Sequence, residues 1–158
     1  MNISSLNDQM NKERMNAAQY DAFSDALESA NWPGFAKWMR RAADEEREHY
    51  QKFAAYLIDR NFNPLHADLA APEKMDGDNP LPLFQAALKL EQDNTDSINA
   101  LVLEFADDPQ TIALLYNFFV PEQTRSVRDL FDRVLEIRRV TGNPAGMLTL
   151  DREYGEAK

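Results

Sequence analysis

The chain contains no cysteine, and that absence excludes several kinds of chemistry. Disulfides, iron–sulfur clusters, thiolate zinc sites and cysteine nucleophiles all depend on the missing side chain. Carboxylates and the 2 histidines are left as the principal metal-binding groups. The lack of cysteine leaves the redox compartment undecided.

Basic residues are also in short supply. The chain has 17 Lys and Arg against 27 Asp and Glu, which gives a net charge of -10. Binding of nucleic acid without sequence preference relies on cations that neutralise phosphates, so we expect no nucleic-acid partner. Cations are the expected partners of such an acidic chain.

Long apolar runs are missing as well. No stretch is long enough to cross a bilayer, and residues 1–9 lack the basic start and apolar run of a secretory signal. We therefore expect a cytoplasmic protein with no membrane partner. A chain of 158 residues is predicted to form one domain, residues 1–158, with a complete core.

What the sequence does contain is helical periodicity. Apolar residues recur at spacings of three, four and seven, which predicts four long helices, a bundle over about 4–139, and a short fifth helix. The predicted spans are about 4–30, 34–60, 80–107, 109–139 and 145–154. Asn79 and Asp108 each precede a proline, which predicts a capping side chain followed by proline at the first helical position.

The segment between Arg60 and Asn79 has no helical period and is long enough to run the length of a bundle. The second and third helices are then parallel, whereas short turns at 31–34 and near 107 make the other sequential pairs antiparallel. The predicted fold is an all-α four-helix bundle in up-down-down-up order, with one long crossover and a short C-terminal helix.

Each long predicted helix carries a polar residue in the middle of its apolar stripe. These residues are Glu13, Glu46, His49, Glu91 and Gln123. Buried carboxylates without partners cost several kcal/mol or take up protons, and three close together repel one another. A cation between them removes both penalties. Because Glu46 and His49 are three residues apart, both can reach a single ion from one helix face.

Carboxylate oxygen combined with imidazole nitrogen suits Fe, Mn or Zn, whereas calcium prefers oxygen alone. Inward-facing Glu residues with Glu-x-x-His on a four-helix bundle are the general pattern of di-iron carboxylate proteins. Pro121 removes a backbone hydrogen bond to Asn117 and predicts a kink in the fourth helix. Either two helical segments meet at the kink, or the bend directs Gln123 at the metal.

Six places in the chain carry a family resemblance. They are LNDQMNKE at 6–13, Tyr20, ADEEREH at 43–49, Glu91-Gln92, VPEQ at 120–123 and GMLTLD at 146–151. Together they resemble the non-haem, bacterial-type ferritins, a ferritin-like di-iron family, over nearly the whole chain. By this resemblance, Glu13 takes the place of the first iron ligand, Glu46 of the bridging ligand and His49 of the terminal ligand.

The resemblance also assigns Glu91 to the second iron, Gln123 to the glutamine beside it, and Tyr20 to a tyrosine packed against the centre. It implies an iron-storage protein with ferroxidase activity, which oxidises Fe(II) to Fe(III) with dioxygen or hydrogen peroxide and stores the ferric mineral. The implied cofactor is a di-iron centre. The implied assembly is a hollow homo-oligomeric shell of about 24 subunits, a 24-mer.

Some positions depart from the family pattern. Ser126 stands where many bacterial ferritins have a glutamate three residues after the glutamine, and Arg125 replaces the next acidic neighbour. The second iron site is therefore expected to be weaker, and a third iron site built from Glu45 and Glu122 is in question. Haem is not expected, because Arg47 stands where bacterioferritins carry a haem-binding methionine.

Two other functions stay open. One is a shell-forming or iron-binding protein whose ferroxidase activity is slow or absent, which would fit Arg125 and Ser126. The other is a di-metal oxidase of the same bundle class that acts on an organic substrate. That oxidase needs a substrate pocket, and the sequence displays none, while the short C-terminal helix favours storage.

Overall fold

The computed structural model describes residues 2–156; Met1, Ala157 and Lys158, which the predicted domain includes, lie outside the described residues. The described part is helical and contains no strand. The helices are α1 (Ser4–Ser29), α2 (Pro33–Asp59), α3 (Pro80–Glu104), α4 (Pro109–Leu114), α5 (Val120–Val140) and α6 (Pro144–Glu156). A π-helical turn at Leu115–Phe119 joins α4 to α5, so these three segments make one continuous fourth rod.

This architecture confirms the predicted all-α bundle with a short C-terminal helix, and the predicted helix boundaries agree to within three residues. Before α3, the Asn79 side chain accepts a hydrogen bond from the Leu81 N–H at 3.2 Å, as its predicted capping role requires. Asp108 differs from the prediction. Its carboxylate accepts hydrogen bonds from the Thr111 hydroxyl and from Arg60, so it ties α4 to the end of α2 instead of capping a backbone amide.

Hydrogen bonds between the helices define their directions. Between α1 and α2 the partner's number falls as the α1 number rises, as in Asn16–Glu46 and Ser24–Ala36, so the two helices are antiparallel. The same holds between α1 and α3, as in Ser5–Glu104, Gln9–Asn94 and Tyr20–Glu91. Since α2 and α3 are both antiparallel to α1, they are parallel to each other. Four residues separate α3 from the fourth rod, which runs back along α3 with Gln123 bonded to Glu91, and this confirms the up-down-down-up order. Within residues 2–156, no helix combines the length and the apolar character needed to cross a membrane.

Two apolar clusters fill the bundle. The first includes Tyr20, Phe23, Leu27, Phe35, Met39, Phe84, Leu130 and Ile137. The second includes Leu6, Met10, Phe53, Leu57, Ile98, Phe105, Leu115 and Phe119. Along every long helix, buried polar residues separate the two clusters; this polar layer consists of Glu13, Asn16, Glu46, His49, Glu91, Asn94 and Gln123. All five polar residues predicted from the stripes are therefore buried at mid-length.

The long crossover between α2 and α3 is held by amide side chains of α1. Asn7 accepts a hydrogen bond from the Leu65 N–H and donates one to the Leu65 carbonyl, as a neighbouring strand would. Gln19 makes the same pair of bonds with Glu73, and Asn11 donates a further one to Leu65. Because an amide carries both a donor and an acceptor, these side chains satisfy the backbone of a segment that has no secondary structure.

The C-terminal helix α6 packs against the start of α2. Its Asp151 carboxylate accepts a hydrogen bond from the Phe35 backbone N–H at 2.8 Å, and it caps a helix whose own preceding residue provides no side-chain cap. Gly34 permits this contact, because a Cβ there would lie 1.6 Å from the Asp151 carbonyl oxygen. The Tyr154 ring packs edge-on against Phe35, with 5.0 Å between ring centroids.

The π-helical turn lies directly before Pro121. The Val120 N–H binds the carbonyl of Leu115, five residues back, so the turn takes up one extra residue ahead of the proline. Pro121 has no N–H to donate, and the change in helical type falls directly before it, where the α-helical hydrogen-bond pattern must be interrupted. The fourth rod thus consists of helical segments that meet just before Pro121. Two residues after that proline, Gln123 is buried and donates a hydrogen bond to Glu91.

Replacing Asn7 with alanine should loosen the crossover. The Leu65 N–H would lose its acceptor, and the Leu65 carbonyl would lose one of its two donors and keep Asn11. Water replaces part of that bonding, so we expect a loss of about 1–2 kcal/mol in the free energy of unfolding. Urea unfolding followed by circular dichroism measures this change. Asp8→Ala, at an exposed neighbouring position, is the control and should change the free energy by less than about 0.5 kcal/mol. Identical midpoints for both variants would contradict the stabilising role of Asn7.

Candidate metal centre

Three side chains converge in the polar layer. Glu13 of α1 and Glu46 and His49 of α2 are almost fully buried, and one ligand atom from each lies within 4.8 Å of the others. His49 Nδ1 is 3.3 Å from Glu46 Oε1 and 3.7 Å from Glu13 Oε2. The spacing of Glu46 and His49 produces this arrangement, because residues three apart are neighbours on one helix face. The three side chains could hold one metal ion.

Glu91 is held by two other predicted site residues. Tyr20 Oη donates a hydrogen bond to Glu91 Oε1 at 2.7 Å, and Gln123 Nε2 donates one to Glu91 Oε2 at 3.0 Å. Both carboxylate oxygens are thus engaged, and Glu91 stands apart from the three converging side chains. The structure therefore brings three of the five predicted site residues together and places Glu91 and Gln123 as a hydrogen-bonded pair in the same layer.

The buried carboxylates are costly to ionise together. Burial raises the pKa of Glu46 well above its usual range, and the charges of Glu13 and Glu91 raise it further. Burial also raises the pKa of Glu91, against the opposing effect of the hydrogen bonds it accepts. For Glu13 the effect of burial is outweighed by its contacts with His49 and Glu46, which hold the pKa below its ordinary value.

His49 compensates part of this charge. Burial alone would lower the pKa of His49, but the carboxylates of Glu13 and Glu46 raise it to about 10. With that proton bound, the group has one positive charge facing two carboxylates. A divalent cation coordinated by the same three side chains would neutralise both carboxylates and release the proton from the ring.

Two atoms of the polar layer are buried without a hydrogen-bond partner, His49 Nδ1 and Gln123 Oε1. Among the described residues only one other buried side-chain atom, Nη1 of Arg41, shares that condition. Buried polar atoms are normally paired, and an imidazole nitrogen and an amide oxygen are both metal ligands. The two unpartnered atoms therefore favour a metal centre over a purely structural polar network.

Sequence reasoning missed the side chains that orient the candidate ligands. Gln9 Nε2 donates hydrogen bonds to Glu13 Oε1 at 2.7 Å and to Asn94 Oδ1 at 2.8 Å. Asn94 Nδ2 lies 3.2 Å from Glu13 Oε1, and Asn16 Nδ2 lies 3.4 Å from Glu46 Oε2. Such outer partners fix ligand orientation. Their signal was present in the sequence, because each is a polar residue in an apolar stripe about one turn from a predicted ligand.

A second pair of carboxylates lies beside the centre and reaches the surface. Glu45 and Glu122, the residues of the questioned third iron site, both accept hydrogen bonds from Arg125 Nη2, at 3.2 and 2.9 Å. Glu122 Oε2 is 3.7 Å from His49 Nε2, on the opposite side of the ring from Nδ1. The structure therefore brings Glu45 and Glu122 together with a guanidinium between them.

A cavity of about 310 Å³ adjoins the centre. Its lining is largely polar and includes Tyr20, Trp38, Glu46, Glu91, Arg125 and Ser126. The sequence displayed no pocket because this lining comes from α1, α2, α3, α5 and α6 together, and depends on how those helices pack. Glu46 and Glu91 both line this cavity.

A four-helix bundle with one long crossover and a carboxylate–histidine group at mid-length defines the ferritin-like class of proteins. The ferritin family model, described as a ferritin-like domain, matches residues 3–140. The chain belongs to the ferritin family. Family and fold together support iron storage as its role.

Individual relatives agree with this assignment. Soma ferritin of Lymnaea stagnalis is 29% identical over 156 residues, which cover 94% of this chain and 87% of that protein. The bacterial non-heme ferritin of Staphylococcus aureus (strain USA300) is 29% identical over 155 residues, covering 97% and 92%. A closed form of the Archaeoglobus fulgidus ferritin, engineered by mutagenesis, superimposes with a TM-score of 0.94 at 26% identity, over 99% of this chain and 95% of that one.

Asn94→Ala should weaken metal binding without removing a ligand. Glu13 would lose one donor and Gln9 one of its two acceptors, so the Glu13 carboxylate could turn away from His49. Loss of such an orienting partner typically costs about 10–100-fold in metal affinity. Competition between the protein and a chelator for Zn²⁺ measures the affinity. Asn99→Ala, on the exposed face of α3, is the control; if both variants bind like the wild type, packing alone positions Glu13.

Proposed function

We propose that this chain is an iron-storage ferritin with ferroxidase activity. Fe(II) is the substrate: Glu13, Glu46 and His49 bind one ion, and Glu91 with Gln123 binds a second, with Glu46 bridging the two. The observation that carries the proposal is the group of buried carboxylates around His49 Nδ1, a ligand atom with no hydrogen-bond partner, at mid-length of a ferritin-fold bundle.

The residues around Glu91 support a second ion at this place. Carboxylates can shift between one-oxygen and two-oxygen binding, so Glu91 can turn toward an ion while it keeps one of its present hydrogen bonds. Burial and the charge of Glu91 raise the pKa of Tyr20 well above its usual range, so Tyr20 stays protonated and remains a donor. The unpartnered Gln123 Oε1 supplies a neutral oxygen ligand.

The proposed reaction balances with either oxidant. Two Fe(II) ions give up one electron each; dioxygen takes up these two electrons and two protons and becomes hydrogen peroxide. Hydrogen peroxide as the oxidant takes up two electrons and two protons and becomes two water molecules. Carboxylate ligands suit both oxidation states of iron, and the ferric product is stored as mineral.

We further propose that residues 1–158 form one ferritin-like domain and assemble into a homo-oligomeric shell of about 24 subunits in the cytoplasm. A net charge of -10 on each chain supports the attraction of Fe(II) to such a shell. No haem, nucleic-acid or membrane partner forms part of the proposal. Arg47, at the position of the bacterioferritin methionine, is engaged by the carboxylates of Asp21 and Asp44.

Glu46→Ala should abolish rapid iron oxidation. Replacing a residue that only orients a metal ligand typically lowers metal affinity or activity by roughly 10–100-fold. Glu46 is the proposed bridging ligand itself, so we expect its loss to lower the initial oxidation rate by at least about tenfold. The measurement is stopped-flow absorbance after two Fe(II) ions per subunit are added to metal-free protein. Glu48→Ala, an exposed glutamate two residues further along α2, is the matched control and should keep the wild-type rate.

Rates equal to that of protein-free buffer in both the wild type and Glu46→Ala would overturn the ferroxidase proposal and leave storage alone. Equal slowing by Glu46→Ala and Glu48→Ala would mean that general surface charge, not the buried centre, controls the rate.

The wild-type protein in solution should have the mass of about 24 subunits. Size-exclusion chromatography with multi-angle light scattering measures it. A monomer or a dimer would contradict the shell, and if such a small particle still oxidised Fe(II) rapidly, the di-metal oxidase would become the better proposal.

One observation bears on each of the two alternatives, the di-metal oxidase and the shell with slow or absent ferroxidase activity. The cavity beside Glu46 and Glu91 could admit a small organic substrate, although its charged lining suits ions better than an apolar molecule. Both carboxylate oxygens of Glu91 already accept hydrogen bonds from Tyr20 and Gln123. This fits a storage shell that binds the second iron ion weakly and oxidises Fe(II) slowly. The stopped-flow and mass measurements distinguish all three functions.

A further inference from the structure

Arg125 joins two helices through their carboxylates at the edge of the metal centre. Its Nη2 donates to Glu45 Oε2 of α2 at 3.2 Å and to Glu122 Oε2 of α5 at 2.9 Å. Its Nε lies 3.4 Å from the other oxygen of Glu122. One guanidinium thus contacts three carboxylate oxygens contributed by facing helices.

These carboxylates would otherwise form a negative site directly beside the candidate ligands. Glu45 precedes Glu46 in sequence, and Glu122 lies 3.7 Å from the His49 ring. Both carboxylate oxygens lie within 3.2 Å of the same guanidinium nitrogen, so a metal ion that replaced the guanidinium could bind between them. Arginine stays protonated under all ordinary conditions, and therefore supplies a cation there permanently.

The surroundings allow the guanidinium to be replaced without disturbing the core. The side chains of Arg125 and Glu45 are half-exposed, and that of Glu122 is 27% exposed. The next arginine along α5, Arg128, is 72% exposed, and among residues 2–156 its ion pair is with Asp132 of its own helix. Arg128 therefore carries the same charge one turn away without bridging α2 and α5.

We propose that Arg125 is a specificity-determining residue whose guanidinium takes the place of a metal ion between Glu45 and Glu122, and so limits the number of ions bound around the centre. The inference rests on the proposed function, because it assumes that the centre itself binds metal. In this chain the two carboxylates bind the guanidinium of Arg125, whereas without it they would be free to bind a metal ion.

The test is to count the Zn²⁺ ions bound per subunit by metal-free, assembled protein. Isothermal titration calorimetry gives the number of tight sites, and elemental analysis after desalting gives an independent count. The variants are Arg125→Ala, Arg125→Gln, the control Arg128→Ala, and the double variant Arg125→Ala with Glu45→Ala. Circular dichroism and light scattering check that each variant folds and assembles.

We expect the wild type and Arg128→Ala to bind the same number of ions. Arg125→Ala and Arg125→Gln should each bind one more per subunit, and the double variant should return to the wild-type number. Wild-type stoichiometry in either assembled Arg125 variant would overturn the inference. A gain of the same size in Arg128→Ala would also overturn it, because the effect would then be one of general charge.

The outcomes separate this inference from the function on which it rests. If Glu46→Ala binds as many tight ions as the wild type, the proposed metal centre is wrong. If Glu46→Ala loses ions while Arg125→Ala gains none, the centre stands and only the role of Arg125 is wrong.

Discussion

The compensation of negative charge at mid-length of the bundle is the constraint on which the other features of this protein depend. Glu13, Glu46 and Glu91 are buried between two apolar clusters, where burial penalises their charged forms and their charges repel one another. Packing of the clusters holds the carboxylates in place, and a bound proton or a metal cation is needed to remove the resulting penalty. The iron-storage role supported by family and fold is the functional counterpart of this constraint, because the bundle maintains a site that a divalent metal ion would stabilise.

Neutral hydrogen-bond donors within and beside the polar layer limit that penalty. The amides of Gln9 and Asn94 bind Glu13, and the hydroxyl of Tyr20 binds Glu91, so each carboxylate has partners before any ion arrives. These donors reduce the cost of burial without supplying positive charge, and they hold the ligands in defined orientations. A protonated His49 supplies one positive charge, and a metal ion would replace its proton.

Charge compensation changes in kind from the interior to the surface. In the buried layer it depends on groups that can exchange, a proton or a metal ion, whereas at the surface the Arg125 guanidinium is permanent. Glu122 lies between these two regions, close to the His49 ring on one side and bonded to Arg125 on the other. The arrangement separates buried carboxylates, which a metal ion could neutralise, from the carboxylates that Arg125 already neutralises.

Much of this protein could be predicted from its sequence, because the decisive signals are local. Helix spans follow from periodicity and proline positions, and the pairing of Glu46 with His49 follows from the geometry of one helix. Only the tertiary structure decided which side chains from different helices meet: that Asn94 of α3 binds Glu13 of α1, and that Asp151 of α6 caps α2. The physical reason is that such contacts depend on the rotation and stagger of packed helices, which are set by the fit of the whole core and not by any single segment.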